Sequence, residues 1–431
     1  MLVSEVRVRE IRDIEMATLP NGLKVITESM SHVRSVSVGI WLAVGSRRET
    51  AKQNGISHFI EHMLFKGTTN RSAEQLACQV DSIGGNLDAF TAKELVSFNV
   101  KVLDEHLERG FDILSDLVLH PLFQPEDVEK EKGVALEELK MEVDNPECLI
   151  HEMYCGTFWH GHALGRSILG TKETIRSFTP QMLREYYDSA YVPSNMLITA
   201  AGNLRHEELL GLVRERFAAL PGCAAGEKEH TPRTHAEIKL KSKRSLEQTH
   251  ICLGVPIHPL PHEMRYACYV LNTVLGGGMS SRLFQNIREK LGLAYAVFSE
   301  MNAYRDSASL VVYAGTSTES APRVVDLILQ EFRQLKDCSL SPDEIRRAKD
   351  HLTGSLMLSL EPTSSRMANL ARQEIFFGRF FTLDEMADAV EAVTTAEVRQ
   401  VACDFFRPEL ITLCVLGRLK ELKIAREQLA C

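Results

Sequence analysis

The residues best placed to do chemistry are His58, Glu61 and His62, in Gly55-Ile56-Ser57-His58-Phe59-Ile60-Glu61-His62-Met63-Leu64-Phe65-Lys66-Gly67-Thr68. On a helix, side chains three and four residues apart share a face. This spacing puts two imidazoles one turn apart with a carboxylate beside them. Two imidazoles can hold one zinc ion, and the carboxylate can reach a water on it. The order H-x-x-E-H is the reverse of the commoner H-E-x-x-H zinc signature. Flanking Phe59, Ile60, Met63, Leu64 and Phe65 predict a largely buried helix. A buried glutamate between two histidines is costly unless each polar group has a partner. A metal ion supplies one to all three. Without a metal, the same pattern is an amphipathic helix with two histidines on one face.

A zinc site that keeps a water needs a third protein ligand. The segment from Pro125 to Glu142 supplies acidic candidates. It predicts a helix: proline at the start, acids early, and Val128, Val134, Ala135 and Leu139 at mixed three- and four-residue spacing. Glu131 and Glu138 are seven residues apart, so they share a face to within about 20°. One can ligate the metal while the other orients a histidine. Glu137 points about 100° away from Glu138, so the two cannot both face one ion.

The elements that must hold these side chains repeat along the chain. At 431 residues, two domains of about 200 residues each are expected. Each half opens with strands, Lys24 to Glu28 and Val33 to Val44 in the first, Ile238 to Leu240 and Glu247 to Val255 in the second. A helix follows, near Gly55 in one half and His262 in the other. Gly110-Phe111-Asp112-Ile113-Leu114 parallels Val324-Val325-Asp326-Leu327-Ile328, and Pro125-Glu126-Asp127-Val128 parallels Pro342-Asp343-Glu344-Ile345. The pattern predicts a duplicated α+β unit: residues 1–222, a linker at 223–236 and residues 237–431. In approximate register, Ala267, Val270 and Leu271 stand opposite His58, Glu61 and His62. The second half thus has the helix without the metal groups. Gly276-Gly277-Gly278 lacks the G-K-[ST] ending of a phosphate loop and reads as a helix stop with close chain approach.

Composition narrows the function classes. Hydrophobic residues make up 44% and charged residues 25%, ordinary for a globular chain. Net charge is −9 with no basic stripe, so nucleic acid is not an expected partner. Carboxylates lining a substrate cavity would favour basic peptides. Ten cysteines form no C-x-x-C pair and no disulfide framework, which points to a reducing compartment. The first ten residues, Met1 to Glu10, lack a secretory apolar core and carry acids unlike a transit peptide. No run reaches the roughly 18 apolar residues of a membrane span. A cytoplasmic location is the expectation.

Taken together, the run around His58 and the position of Glu138, 76 residues after His62, resemble the insulinase, or pitrilysin, family (M16) of zinc peptidases. The half-length branch, with bacterial processing proteases and the mitochondrial processing peptidase, is the most similar. The resemblance extends over nearly the whole chain. Leu19-Pro20-Asn21-Gly22-Leu23, Trp41 through Gly45-Ser46-Arg47, Gly84-Gly85-Asn86-Leu87-Asp88-Ala89-Phe90-Thr91, Leu164-Gly165-Arg166-Ser167-Ile168-Leu169-Gly170 and Gly276 through Phe284 all resemble family segments.

The resemblance implies one zinc per chain, on His58, His62 and Glu138, with Glu61 as general base and Glu131 as the carboxylate behind the ligands. It implies that Arg288 and Tyr295, seven apart, bind and polarise the peptide. Without the family they read as a salt-bridging helix arginine and a strand tyrosine. Substrate would add as an extended strand near Asp88 and Ala89, where the family often has asparagine in place of Asp88. The implied fold is α+β: two tandem homologous domains, each a mostly antiparallel sheet packed with helices, together a clam-like chamber. The implied activity is a metalloendopeptidase acting on unfolded peptides or presequence-like segments, as a homodimer. The competing expectation is a non-catalytic core or partner subunit. Such subunits typically lose one of the metal groups, and this chain keeps them all.

Overall fold

The computed structural model describes residues 13–222, 230–337, 340–419 and 424–431. Residues 223–229 of the expected linker lie outside them. The first half runs β1 (Ile14–Thr18), β2 (Lys24–Ser29), β3 (Ser35–Leu42), α1 (Ile56–Leu64), α2 (Ala73–Asp81), β4 (Asn86–Thr91), β5 (Val96–Leu103), α3 (Leu107–Leu119), α4 (Pro125–Asp144), α5 (Pro146–Phe158), α6 (Lys172–Ser177), α7 (Pro180–Ala190), β6 (Met196–Gly202) and α8 (His206–Phe217). The second runs β7 (Ile238–Ser242), β8 (Thr249–Pro256), α9 (Arg265–Gly276), β9 (Ala294–Ala303), β10 (Ala308–Thr316), α10 (Ala321–Asp337), α11 (Pro342–Ser359), α12 (Thr363–Phe377), α13 (Leu383–Glu391), α14 (Thr395–Phe405) and β11 (Thr412–Gly417).

The duplication is visible in the topology. One sheet has the order β1-β2-β6-β3-β5-β4 and the other β7-β11-β8-β10-β9. Leaving out β1, the orders correspond strand for strand. In each sheet the first strand of the repeat pairs parallel with the last, β2 with β6 and β7 with β11. The remaining pairs are antiparallel. This is the mostly antiparallel α+β architecture. The helix in the slot of α1 is α9, where Ala267, Val270 and Leu271 are buried.

The chain forms two compact units, and each draws on both halves. One comprises residues up to Ala135, Ile168–Lys228 and Leu356–Asp388; the other comprises Leu136–Ser167, Glu229–Ser355 and Ala389 onward. The exchanged pieces are equivalent in the repeat. In the first unit, α12 lies on β2, β3 and β6. Its Met367, Leu370 and Ala371 pack with Ile26, Trp41 and Leu197. Gly39 permits this approach, because a Cβ there would lie 2.5 Å from Met367 Sδ. The Trp41 indole donates to Thr199 Oγ1 at 2.8 Å, and that hydroxyl donates to the Met367 carbonyl at 2.9 Å. In the second unit α5 does the corresponding work. Its Ile150, Tyr154 and Phe158 pack with Cys252, Val311 and Cys414. Each large side chain buried in this way contributes about 1.5–3 kcal/mol.

The division between units falls inside α4. That helix is continuous, so Glu131 and Glu138 remain two turns apart on one rod. Among the described residues, no helix is long and apolar enough to cross a membrane.

Candidate metal centre

Helix α1 starts sharply because of two residues. Gly55 takes φ +93°, and a Cβ there would lie 2.7 Å from the Leu169 carbonyl oxygen. Only glycine adopts that conformation without strain. Glu49, 3% exposed, then serves the helix N-terminus. Its carboxylate accepts from the backbone N–H groups of Gly55 (2.8 Å) and Ser57 (2.9 Å), and from Asn54 Nδ2 (3.2 Å). These are donors that a helix start otherwise leaves unmet. Burial pushes the Glu49 carboxyl upward, and the bonds from Ser57 and Gly55 offset only part of it. Ser57 Oγ lies 2.8 Å from the Tyr186 hydroxyl, and Phe59 packs on Phe178 at 5.3 Å. The helix is therefore fixed in position at its start and along its buried face.

On its other face His58 and His62 stand with ring centroids 4.4 Å apart. Burial, and secondly the neighbouring His62, bring the His58 pKa down to about 4. Its imidazole is neutral at pH 7, the form that ligates metal. From α4, Glu138 completes a group whose ligand atoms all lie within 4.8 Å of one another. Ligand atoms of a tetrahedral zinc stand roughly 3.4 Å apart, from bonds of about 2.1 Å. Two nitrogens and a carboxylate oxygen at this separation fit zinc with small side-chain adjustments. Among the described residues this is the one such cluster.

Glu131 sits behind it. One oxygen lies 3.0 Å from His62 Nδ1 and the other 2.6 Å from the Lys66 ammonium. Burial opposes ionisation of this carboxyl, but the bonds from His62 and Lys66 outweigh it and hold it below the usual range. A charged acceptor on Nδ1 selects the tautomer with its lone pair on Nε2, the nitrogen left for a metal. Glu137 is exposed and pairs with Lys140 at 2.5 Å, so it does not join the cluster.

The loop that follows Lys66 is tied to α3. Buried Asp116 on α3 accepts from Thr68 Oγ1 (2.8 Å), Asn70 Nδ2 (2.6 Å) and an Arg71 guanidinium nitrogen (2.7 Å). Burial works against ionisation of Asp116. The bonds from Asn70, Arg71 and Thr68 more than compensate and hold its carboxyl below the usual range.

Glu61 is half-buried and accepts a hydrogen bond from Thr91 Oγ1 at 2.5 Å. Thr91 ends β4, the outer strand of its sheet. Asp88 and Ala89 lie on that strand, and its other edge has no partner strand among the described residues. Arg288 and Tyr295 lie in the second unit. Arg288 falls in a π-helical turn, Phe284–Glu289. Its guanidinium carbon is 4.7 Å from the Phe284 ring centre and 5.0 Å from that of Tyr295, which is 78% exposed. Gly276, Gly277 and Gly278 share with Phe284 and Arg288 the wall of an open cavity of about 400 Å³.

Three contributors escape a reading of sequence spacing. Lys66, four residues past His62 and just beyond the end of α1, carries a usable signal. Glu49 carries a weaker one, as an acid shortly before a helix start. Thr91, a neutral strand residue 30 positions from Glu61, carries none.

Comparison with known proteins gives family matches in both halves of the chain. Residues 24–172 match the family described as insulinase (peptidase family M16), and residues 177–352 match the peptidase M16 inactive domain. His58, Glu61, His62, Glu131 and Glu138 fall in the first match, Arg288 and Tyr295 in the second. The uncharacterized zinc protease YmxG of Bacillus subtilis is 40% identical over 393 residues, covering 91% of this chain and 96% of that protein. An uncharacterized zinc protease of Streptomyces coelicolor is 38% identical, covering 96% of this chain and 92% of that one. A protease from Helicobacter pylori has a similar fold, with TM-score 0.87 at 21% identity, covering 95% of this chain and all of that chain. A Pseudomonas fluorescens structure titled as a peptidase M16 inactive domain matches with TM-score 0.88 at 19% identity, covering 96% of this chain and all of that one.

Proposed function

The chain belongs to the insulinase family of peptidases, M16, in its half-length bacterial branch, and from that premise we propose that it is a zinc-dependent metalloendopeptidase acting on unfolded peptides. The observation that carries the reading is the convergence of His58, His62 and Glu138, with Glu61 beside them on α1 and Glu131 behind His62. The names of the relatives as zinc proteases support zinc as the ion.

His58, His62 and Glu138 would hold the metal. The chemistry a zinc ion would supply there is polarisation of a peptide carbonyl and a water pKa lowered from 15.7 to roughly 7. Glu61, on the same face of α1, would act as general base, taking a proton from the attacking water and passing it to the leaving amine. Glu131, 3.0 Å from His62 Nδ1, would fix the ring so that Nε2 is the nitrogen presented to a metal. The edge of β4 that has no partner strand among the described residues, at Asp88 and Ala89, offers backbone groups to an extended peptide. Strand addition reads the backbone of the substrate, so sequence preference is broad and unfolded segments are favoured. Asp88 accepts a backbone N–H but does not donate, unlike asparagine. On the family resemblance, Arg288 would donate to the peptide and Tyr295 would stabilise the developing oxyanion.

The test is cleavage of an unstructured peptide library by the zinc-loaded protein, read by mass analysis of the cut sites. Glu61→Gln is expected to bind zinc as the parent does and to lose cleavage by roughly 10²–10⁴-fold. A Glu61→Gln protein that cuts as fast as the parent contradicts the mechanism. A zinc-loaded parent that cuts nothing favours a non-catalytic subunit.

A further inference from the structure

Glu61 needs a fixed carboxylate plane if it is to meet a small, briefly placed proton, and α1 alone does not fix one. A glutamate on a helix has three side-chain torsions, and the last is soft. The structure supplies an outside restraint. Thr91 Oγ1 donates to Glu61 Oε2 at 2.5 Å. A hydroxyl donor to an ionised carboxylate makes one of the stronger hydrogen bonds available to a neutral side chain.

Thr91 is itself held firmly. It is β-branched, so its χ1 is restricted. It pairs with Val96 across the β4–β5 hairpin. The turn just after it is tied down from the segment Gly45–Arg47. The Ser46 and Arg47 backbone N–H groups donate to the carbonyls of Ala92 (3.1 Å) and Lys93 (2.8 Å). The buried Arg47 guanidinium pairs with Glu94 at 2.6 Å, at 2% and 4% side-chain exposure. A Cβ on residue 45 would lie 2.3 Å from the Ala92 carbonyl, so Gly45 makes this approach possible. The hydroxyl aimed at Glu61 is thus mounted on a pinned hairpin.

Given the metallopeptidase reading above, we propose that Thr91 is a positioning residue for the general base, and that it ties the base to the strand edge on which substrate is laid. The same six-residue strand carries Asp88 and Ala89 at its open edge and Thr91 at its end. A peptide paired with β4 is therefore in register with the hydroxyl that sets Glu61. Substrate placement and base orientation depend on one rigid element, and an error in one is an error in the other.

Thr91→Val is the direct perturbation, because it removes the hydroxyl and keeps the shape and strand preference. Thr91→Ser restores the hydroxyl on a smaller side chain. Both are compared with the parent for zinc affinity by chelator competition, for thermal midpoint, and for kcat and KM on an internally quenched peptide chosen from a library for cleavage by the parent. Misplacement of a catalytic group by about 1 Å costs on the order of 10²-fold. The expected result is kcat lower by roughly 10–100-fold in Thr91→Val, with KM and zinc affinity each within about threefold of the parent, and recovery of most of kcat in Thr91→Ser. A valine variant with kcat within twofold of the parent overturns the proposal. So does a valine variant whose loss lies in KM or in zinc affinity, and so does a serine variant no better than valine. If the zinc-loaded parent cleaves nothing in the library, the failure belongs to the metallopeptidase reading and is told apart by that fact.

Discussion

Replacing Glu131 with alanine is expected to weaken zinc binding without touching a ligand. The residue is 4% exposed, and its carboxylate holds two cationic or polar donors, His62 Nδ1 at 3.0 Å and Lys66 Nζ at 2.6 Å. Once it is gone, the His62 ring is no longer held with Nε2 toward the metal and no longer biased to that tautomer. Loss of such an outer partner typically costs about 10–100-fold in metal affinity, equivalent to about 1.4–2.8 kcal/mol. Glu131→Gln keeps a carbonyl oxygen for the ring N–H but loses the ion pair with Lys66. Its affinity should fall between parent and alanine variant. Competition against a chromophoric zinc chelator at fixed pH measures all three, and urea unfolding checks that each is folded. An alanine variant of parental stability that binds zinc within twofold of the parent refutes the orienting role.

Other consequences can be measured separately. Gly55→Ala forces a positive φ on an L-residue and drives a methyl toward the Leu169 carbonyl; backbone strain alone should cost about 1–3 kcal/mol, read as a lower urea midpoint. Asp116 has a folded pKa held below its ordinary value of 3.8. Its ionised form therefore adds stability above that value, which is lost as pH falls through the depressed folded pKa. Asp116→Asn should be less stable than the parent by about 1–3 kcal/mol near neutrality. The gap should narrow below about pH 4, which unfolding curves across the acid range would record. Zinc at 100 times its dissociation constant should stabilise the protein by about 2.7 kcal/mol through mass action. A chelator should reverse the shift in thermal midpoint and abolish cleavage, and added zinc should restore both.

Much of the site is legible in the chain because helical spacing converts directly into geometry. His58, Glu61 and His62 lie one turn apart on α1, and the seven-residue interval from Glu131 to Glu138 gives α4 one face with two carboxylates. The exposure of Glu137 and its pairing with Lys140 separate it from Glu138, as the 100° step per residue requires. The duplication is legible for the same reason: strands and helices recur in the same order, and the two sheets share one strand order.

What the chain does not reveal is long-range exchange and contacts made by ordinary residues. Helices α5 and α12 have apolar faces that read the same whichever sheet they cover. Their transfer between units follows from packing, such as Met367 on Gly39 and Trp41, and not from any local signal. Thr91 is one of many strand threonines until the hairpin places its hydroxyl on Glu61. Glu49 becomes a helix-terminal carboxylate only because Gly55 turns the backbone so that its own N–H and that of Ser57 face it.

The central claim is that two imidazoles of α1 and one carboxylate of α4 hold a single zinc ion. X-ray absorption at the zinc edge, on protein loaded with one equivalent, tests it most directly. The expected spectrum has two imidazole nitrogens and oxygen ligands at about 2.0–2.2 Å and no sulfur shell, with the imidazole signature lost in His58→Ala and His62→Ala. A sulfur shell near 2.3 Å, or a spectrum unchanged by both substitutions, would place the metal elsewhere and contradict it.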